Sequence, residues 1–237
     1  MASGVFCSRP GGLRWHTSAM EESICPTDSE DARERAIALI SRFRHPQEVG
    51  HLQEVAASSV PAAFRELLDH RSHMTVAMER CHGSPVTLEV VAVADHEAVA
   101  RDSGPFSYAR EILLRCPTVN ELLFPAGPHQ PPEVGTVVQY GVVGIALERL
   151  PPPVAAEVCR GQRPLGRILI EAGLHREVRD VRLLELQPGP HLMSLFAGKV
   201  SQTVPTTYGR VATIDVMGQP VLRLLEVVGV PPLPGKL

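Results

Sequence analysis

Glu226 is a lone carboxylate in an otherwise apolar run, Pro220-Val221-Leu222-Arg223-Leu224-Leu225-Glu226-Val227-Val228. Read as a strand with a period of two, the run puts Glu226 on a face with Leu222, Leu224 and Val228, and Arg223 on the other with Val221, Leu225 and Val227. A carboxylate on such a face must be matched by a cation or by hydrogen-bond donors, or it keeps its proton. Acids held this way acquire the shifted pKa values that acid and base chemistry uses. The candidate cation is Arg110, in Tyr108-Ala109-Arg110-Glu111-Ile112-Leu113-Leu114-Arg115, which as a strand shares a face with Tyr108, Ile112 and Leu114. It would pair with Glu226 or grip an anionic ligand lying between them, because a guanidinium holds a carboxylate in a two-pronged fork.

Other chemistry-bearing residues give weaker patterns. Arg163-Pro164-Leu165-Gly166-Arg167 reads as a tight turn feeding a helix, and the free N–H groups of a helix start bind carboxylates. His70 and His73 form an HxxH pair, with His82 and His96 downstream, but no carboxylate or third ligand sits at a metalloenzyme spacing. The expectation is therefore no metal, with solvated histidines at a helix end. Ser72 lacks a nucleophile elbow, and Cys81 and Cys159 lack a placed histidine base. Arg71, Arg163 and Arg167 add positive potential at a cavity mouth.

The elements that must position these residues follow from periodicity. Helices are expected over Asp31 to about Phe43, over Pro61 to about Asp69, from Ser72 or Thr75 to near Gly83, from Val154 to Arg160, and after Pro164 up to Gly173. Strands are expected over Val86 to Val93, over Thr136 to Glu148, over His175 to Gln187, and in a last hairpin that turns at Met217-Gly218-Gln219-Pro220, while Tyr108 to Arg115 has no breaker and fits either a strand or a helix by periodicity. About six strands joined by turns, with inserted helices, imply an α+β fold with an antiparallel sheet rather than a βαβ succession. Residues 1–30 lack periodicity and read as a mobile N-terminal extension, or as a misassigned start, before a single domain over 31–237. The proline-rich stretch from Cys116 to about Gly135 reads as an irregular loop.

Composition excludes several classes of function. A net charge of -3 and 4% aromatic residues argue against an electrostatic grip on nucleic acid and against stacking platforms for single strands. No run approaches the roughly 20 apolar residues of a membrane span, and no signal-peptide core opens the chain. Five scattered cysteines without a CxxC pair suggest reduced thiols in a cytoplasmic protein.

Taken in order, Ser72-His73-Met74-Thr75, then Arg110-Glu111-Ile112-Leu113-Leu114, then Pro164-Leu165-Gly166-Arg167, then Tyr208-Gly209-Arg210 with Gly218-Gln219-Pro220 and Glu226, resemble the chorismate pyruvate-lyase family over roughly residues 60 to 230. The chain departs from the bacterial ubiquinone-pathway members in its N-terminal extension, its expanded proline-rich loop and its extra sequence between Gly173 and Gly209. The resemblance implies a six-stranded antiparallel sheet whose helical flaps close a small buried cavity. It also implies a monomeric lyase that splits chorismate into 4-hydroxybenzoate and pyruvate without metal or cofactor. Arg110 then grips the aromatic-acid carboxylate, the backbone amides of Met74 and Leu165 help to hold it, and Glu226 faces the ring oxygen. A non-catalytic module of the same fold that binds small aromatic acids is the alternative.

Overall fold

A computed structural model describes residues 31–94, 106–117, 135–196 and 206–229. The extension expected over residues 1–30 lies outside the described residues, as does most of the proline-rich loop. The protein is α+β, with seven antiparallel strands in one sheet.

The strands are β1 (Gly50–Val55), β2 (Thr87–Ala94), β3 (Tyr108–Cys116), β4 (Thr136–Ile145), β5 (Arg176–Pro188), β6 (Thr207–Val216) and β7 (Gln219–Val228). They lie side by side in the order β1, β5, β6, β7, β4, β3, β2. The expected six strands thus become seven. The addition is β1, where only Leu52 is buried, so the apolar alternation that reveals a strand is missing. The last hairpin turns at Met217 and Gly218, both at positive φ (52° and 78°), the conformation of a two-residue turn whose twist matches its strands.

Seven helices cover the sheet among the described residues. They are α1 (Ala32–Ile40), α2 (Pro46–Val49), α3 (Ala62–Leu68), α4 (Met74–His82), α5 (Pro152–Arg160), α6 (Leu165–Glu171) and α7 (Pro190–Phe196). Their ends follow local chemistry. The Asp31 side chain accepts from the Arg33 N–H to start α1, Pro152 opens α5, and Gly83 and Gly161 close α4 and α5 in the left-handed conformation. Neither Ser72 nor Thr75 caps α4. His73 occupies that position without a side-chain bond to the helix, because the Ser72 N–H and hydroxyl are turned back to His70 Nδ1. The helices α2 and α7 had no strong sequence pattern, being 4 and 7 residues long.

The central strands β4, β6 and β7 are buried almost throughout, which means that both faces of the sheet are covered. On one face α1 and α7 pack Ala36, Leu39, Ile40 and Leu192 against Leu113, Tyr140, Val142, Val211, Leu225 and Val227. There Glu111 of β3 takes two bonds from Arg44 (2.7 and 2.5 Å) and one from the Tyr140 hydroxyl (2.7 Å), tying the chain after α1 to the sheet.

The other face is covered in two separate patches. Leu67, Leu68, Met74 and Met78 of α3 and α4 pack on Leu114, Leu183, Tyr208 and Val228. Val154, Val158, Ile168 and Leu169 of α5 and α6 pack on Val143, Ala212, Ile214, Leu222 and Leu224. Each fully buried side chain contributes about 1.5–3 kcal/mol relative to exposure, so each helix pair is anchored by its own patch. The strip of sheet between the patches belongs to neither. Among the described residues, no helix is long and apolar enough to cross a membrane.

Candidate functional site

The strip between the two helix pairs is the floor of a cavity with about 80 Å³ of interior space that opens to solvent at its mouth. Strand register places its residues. One row across the floor runs Ile112, Gly141, Glu226, Arg210 on β3, β4, β7 and β6, and the row beside it runs Arg110, Val143, Leu224. Gly141 leaves the centre of the floor without a side chain, and a Cβ there would sit 3.1 Å from Ile112 Cγ1.

Arg110 lines this cavity at 1% exposure. Its Nη1 donates to the Val158 carbonyl (3.1 Å), one of the last carbonyls of α5, which also accepts from the Gly161 N–H. A helix C-terminus is a favourable but partial counter-charge for a buried cation. Nε of Arg110 is buried without a partner, and among the described residues no carboxylate pairs with this guanidinium. Burial accordingly pushes its pKa down. An unpaired buried guanidinium opening on a cavity is a receptor for an anion.

The pairing of Arg110 with Glu226 that periodicity suggests does not form. Both line the cavity, but Glu226 is held by Arg210 of β6, whose Nε donates to Oε2 at 2.7 Å. The physical reason is register. Arg210 stands directly opposite Glu226 on the adjacent strand, whereas β4 lies between Glu226 and Arg110. Among the described residues no donor reaches Oε1 of Glu226, so the carboxylate, 14% exposed, keeps one acceptor for the cavity. Arg210 is itself 2% exposed, and its Nη1 donates to the carbonyls of Leu68 (3.1 Å) and His70 (2.8 Å). It therefore fixes both Glu226 and the connection leading into α4.

Met74 and Leu165, the other two site residues expected from the sequence, also line the cavity, as the first residues of α4 and α6. Neither helix start has a side-chain cap, so the N–H groups of its first turn have no partner within the helix. The two starts meet where the His73 ring lies over Gly166. A Cβ on Gly166 would fall 2.3 Å from His73 Nδ1, so glycine permits the approach. On the far side of the ring Nε2 accepts from Nε of Arg176. Burial first, and the Arg176 charge second, hold the His73 pKa below the ordinary value.

Arg163 and Arg167 do not supply free positive potential at the mouth. Arg163 pairs with Glu171 and Glu157, and Arg167 lies 3.7 Å from Glu79 of α4. In the HxxH pair, His73 Nε2 accepts from Arg176 and His70 Nδ1 accepts from the Ser72 N–H. Among the described residues no cluster of three or more histidine, cysteine or acidic side chains could hold a metal ion.

Two buried polar residues of the cavity escaped the sequence reading. Arg210 stood in the Tyr208-Gly209-Arg210 motif with no role assigned to it, although its distance from Glu226 across a hairpin turn is a signal for direct cross-strand pairing. Gln139 of β4, 1% exposed and lining the cavity, looked like an ordinary polar residue within a strand.

Among the described residues, fold and site together define an α+β protein with a part-open, mostly apolar cavity, one buried guanidinium without a carboxylate partner and one arginine-held carboxylate. No protein-family model matches the chain, and a search of curated proteins returns no match.

Proposed function

We propose that the protein is a cofactor-independent chorismate pyruvate-lyase, with α3/α4 and α5/α6 acting as flaps over the cavity. The observation that carries the reading is Arg110, buried and without a carboxylate partner, at the wall of a cavity that also holds the open oxygen of Glu226. The order of motifs that resembles the family supports it independently, because Met74, Arg110, Leu165 and Glu226 all line that one cavity.

In this mechanism Arg110 takes the ring carboxylate in a bidentate fork through Nε and its neighbour, and the amides at the starts of α4 and α6 supply further donors. The ring lies over Gly141, where there is no side chain to obstruct it. The reaction removes the proton from the ring carbon that bears the hydroxyl and breaks the neighbouring ether carbon–oxygen bond. The electron pair of the C–H bond completes the aromatic ring, and the ether oxygen leaves with its enolpyruvyl group, which takes up a proton to become pyruvate. Aromatisation drives the step. Glu226 offers an acceptor rather than a donor at Oε1, because Arg210 occupies Oε2. It is suited to receive the ring proton or to orient the ring oxygen.

Incubation of the purified chain with chorismate, with 4-hydroxybenzoate and pyruvate followed together, tests the proposal. Equimolar appearance of both products is expected. Binding of 4-hydroxybenzoate without turnover would move the protein to the alternative class, an aromatic-acid-binding module, and absence of both would remove the reading.

A further inference from the structure

Among the described residues, the side-chain amide of Gln139 is a buried polar group at the cavity for which neither the fold nor the chemistry above gives a use. It is 1% exposed, and its Oε1 is buried with no hydrogen-bond partner. Leaving such an acceptor unmet costs about 1–3 kcal/mol, and an apolar side chain would fill the same position on a sheet face otherwise packed by α3 and α4. Its neighbours in the ladder are apolar, Leu114 on β3 and Val228 on β7.

Position gives the amide a role. Gln139 and Val143 lie on the same face of β4, one residue pair to either side of Gly141. Val143 is opposite Arg110, and Gly141 is opposite Glu226. The cavity floor therefore carries, in order along β4, an anion anchor, a bare centre beside a carboxylate, and an amide. The outer two positions are about 13 Å apart at the backbone. Side chains projecting from both ends leave the span of one six-membered ring with a carboxylate at one end and a polar substituent at the other. A hydroxyl suits the amide in either orientation, donating to Oε1 or accepting from Nε2.

We infer that Gln139 is a positioning and specificity-determining residue that hydrogen-bonds the ring hydroxyl of the ligand, so that the cavity selects hydroxylated six-membered-ring carboxylic acids over unhydroxylated ones. The inference rests on the lyase reading and deepens it. With the hydroxyl held by Gln139, Oε1 of Glu226 is left for the ring proton. Sites with a buried group waiting for a hydroxyl discriminate strongly against ligands lacking it, because the group is then stranded again.

The test is calorimetric titration of the full chain with 4-hydroxybenzoate and with benzoate, in wild type and in Gln139→Leu, with Gln139→Met as the unbranched alternative and thermal melts to establish that each variant folds. Wild type is expected to bind 4-hydroxybenzoate at least about tenfold more tightly than benzoate. The variants are expected to lose that preference through weaker hydroxybenzoate binding, with benzoate affinity unchanged within about threefold. Retention of the preference in the variants, or an equal loss for both acids, would overturn the role of Gln139 while leaving the site itself standing. Failure of wild type to bind either acid would overturn the lyase reading and this inference with it.

Discussion

Arg210 and Glu226 face each other on neighbouring strands of the last hairpin, joined at 2.7 Å, with the same guanidinium bonded to two carbonyls of the chain entering α4. A single side chain thus links the acid on the cavity floor to the wall above it. Replacing Arg210 with Met strands a largely buried carboxylate and two carbonyls.

The expected loss is about 3–5 kcal/mol, the range for breaking one partner of a buried pair. Urea unfolding measures it. Glu226→Leu in the same chain should recover part of the loss, since a pair replaced by apolar groups leaves nothing unmatched. A double variant as unstable as the single one would mean that the carbonyl bonds, not the ion pair, are what Arg210 supplies.

Gly166 and His73 bring the start of α6 against the start of α4. Gly166→Ala places a methyl 2.3 Å from Nδ1 of the imidazole, so the ring must move and the seam opens. A destabilisation of about 1–3 kcal/mol is expected, typical of overpacking. Faster dissociation of bound 4-hydroxybenzoate should accompany it, read by stopped-flow displacement. In a His73→Ser background the same substitution should cost much less, because the three atoms that the new Cβ would meet first all belong to the ring. An equal cost in both backgrounds would locate the strain in the α6 backbone.

Much of this architecture was legible in the chain and some was not, for reasons that particular residues make plain. The strand carrying Glu226 falls where a period of two places it, the stretch carrying Arg110 takes the strand of the two elements its periodicity allows, and the Met217-Gly218 turn lies where its residues demand. Periodicity tells which face a side chain takes but not which strand stands next to it. Arg110 was therefore matched with Glu226 by sign and face, while the hairpin had already set Arg210 opposite that acid. The strand β1 and the helices α2 and α7 escaped because they are short and bury few residues each. Gln139 escaped because an unmet acceptor becomes visible only once its surroundings are known.

Arg110 carries a conflict between stability and binding. Its charge is buried, and among the described residues its guanidinium donates to a helix carbonyl and meets no carboxylate, which is unfavourable for the folded chain. Arg110→Met should therefore raise the melting temperature, or leave it unchanged, while abolishing binding of 4-hydroxybenzoate. The wild-type chain should in turn be stabilised by the aromatic acid as the logarithm of its concentration, by about 2.7 kcal/mol at a hundredfold excess over Kd. Differential scanning calorimetry with and without ligand reads both effects. A variant that melts well below wild type would show the guanidinium to be a structural bond to α5 rather than a waiting receptor.

Glu111, on the far face of the sheet, sets the acid limit of the fold. Burial by itself raises its pKa, but the bonds from Arg44 and Tyr140, with the Arg44 charge, outweigh burial and leave the carboxyl below its ordinary value. A carboxyl lowered in the folded state stabilises fully above its unfolded value of about 4.3, and that contribution is lost as pH falls through the lower folded value. Glu111→Gln removes the titration while keeping one acceptor for Tyr140. The variant should be less stable than wild type at pH 6 by about 3 kcal/mol, since Arg44 loses its buried partner. The gap should narrow as pH drops below about 4.3, because only the wild type loses the contribution there. His70 and His73, whose pKa values burial lowers, make both proteins less stable as pH falls below about 6.5 and cancel in the difference, whereas His191, lowered by burial and Arg44 but raised by Glu111, is lowered further in the variant and widens the gap before Glu111 narrows it. Urea unfolding at a series of pH values from 6 to 3.5 gives the comparison. A gap of constant size would mean that Glu111 titrates alike in folded and unfolded chains, contrary to the short bonds that hold it.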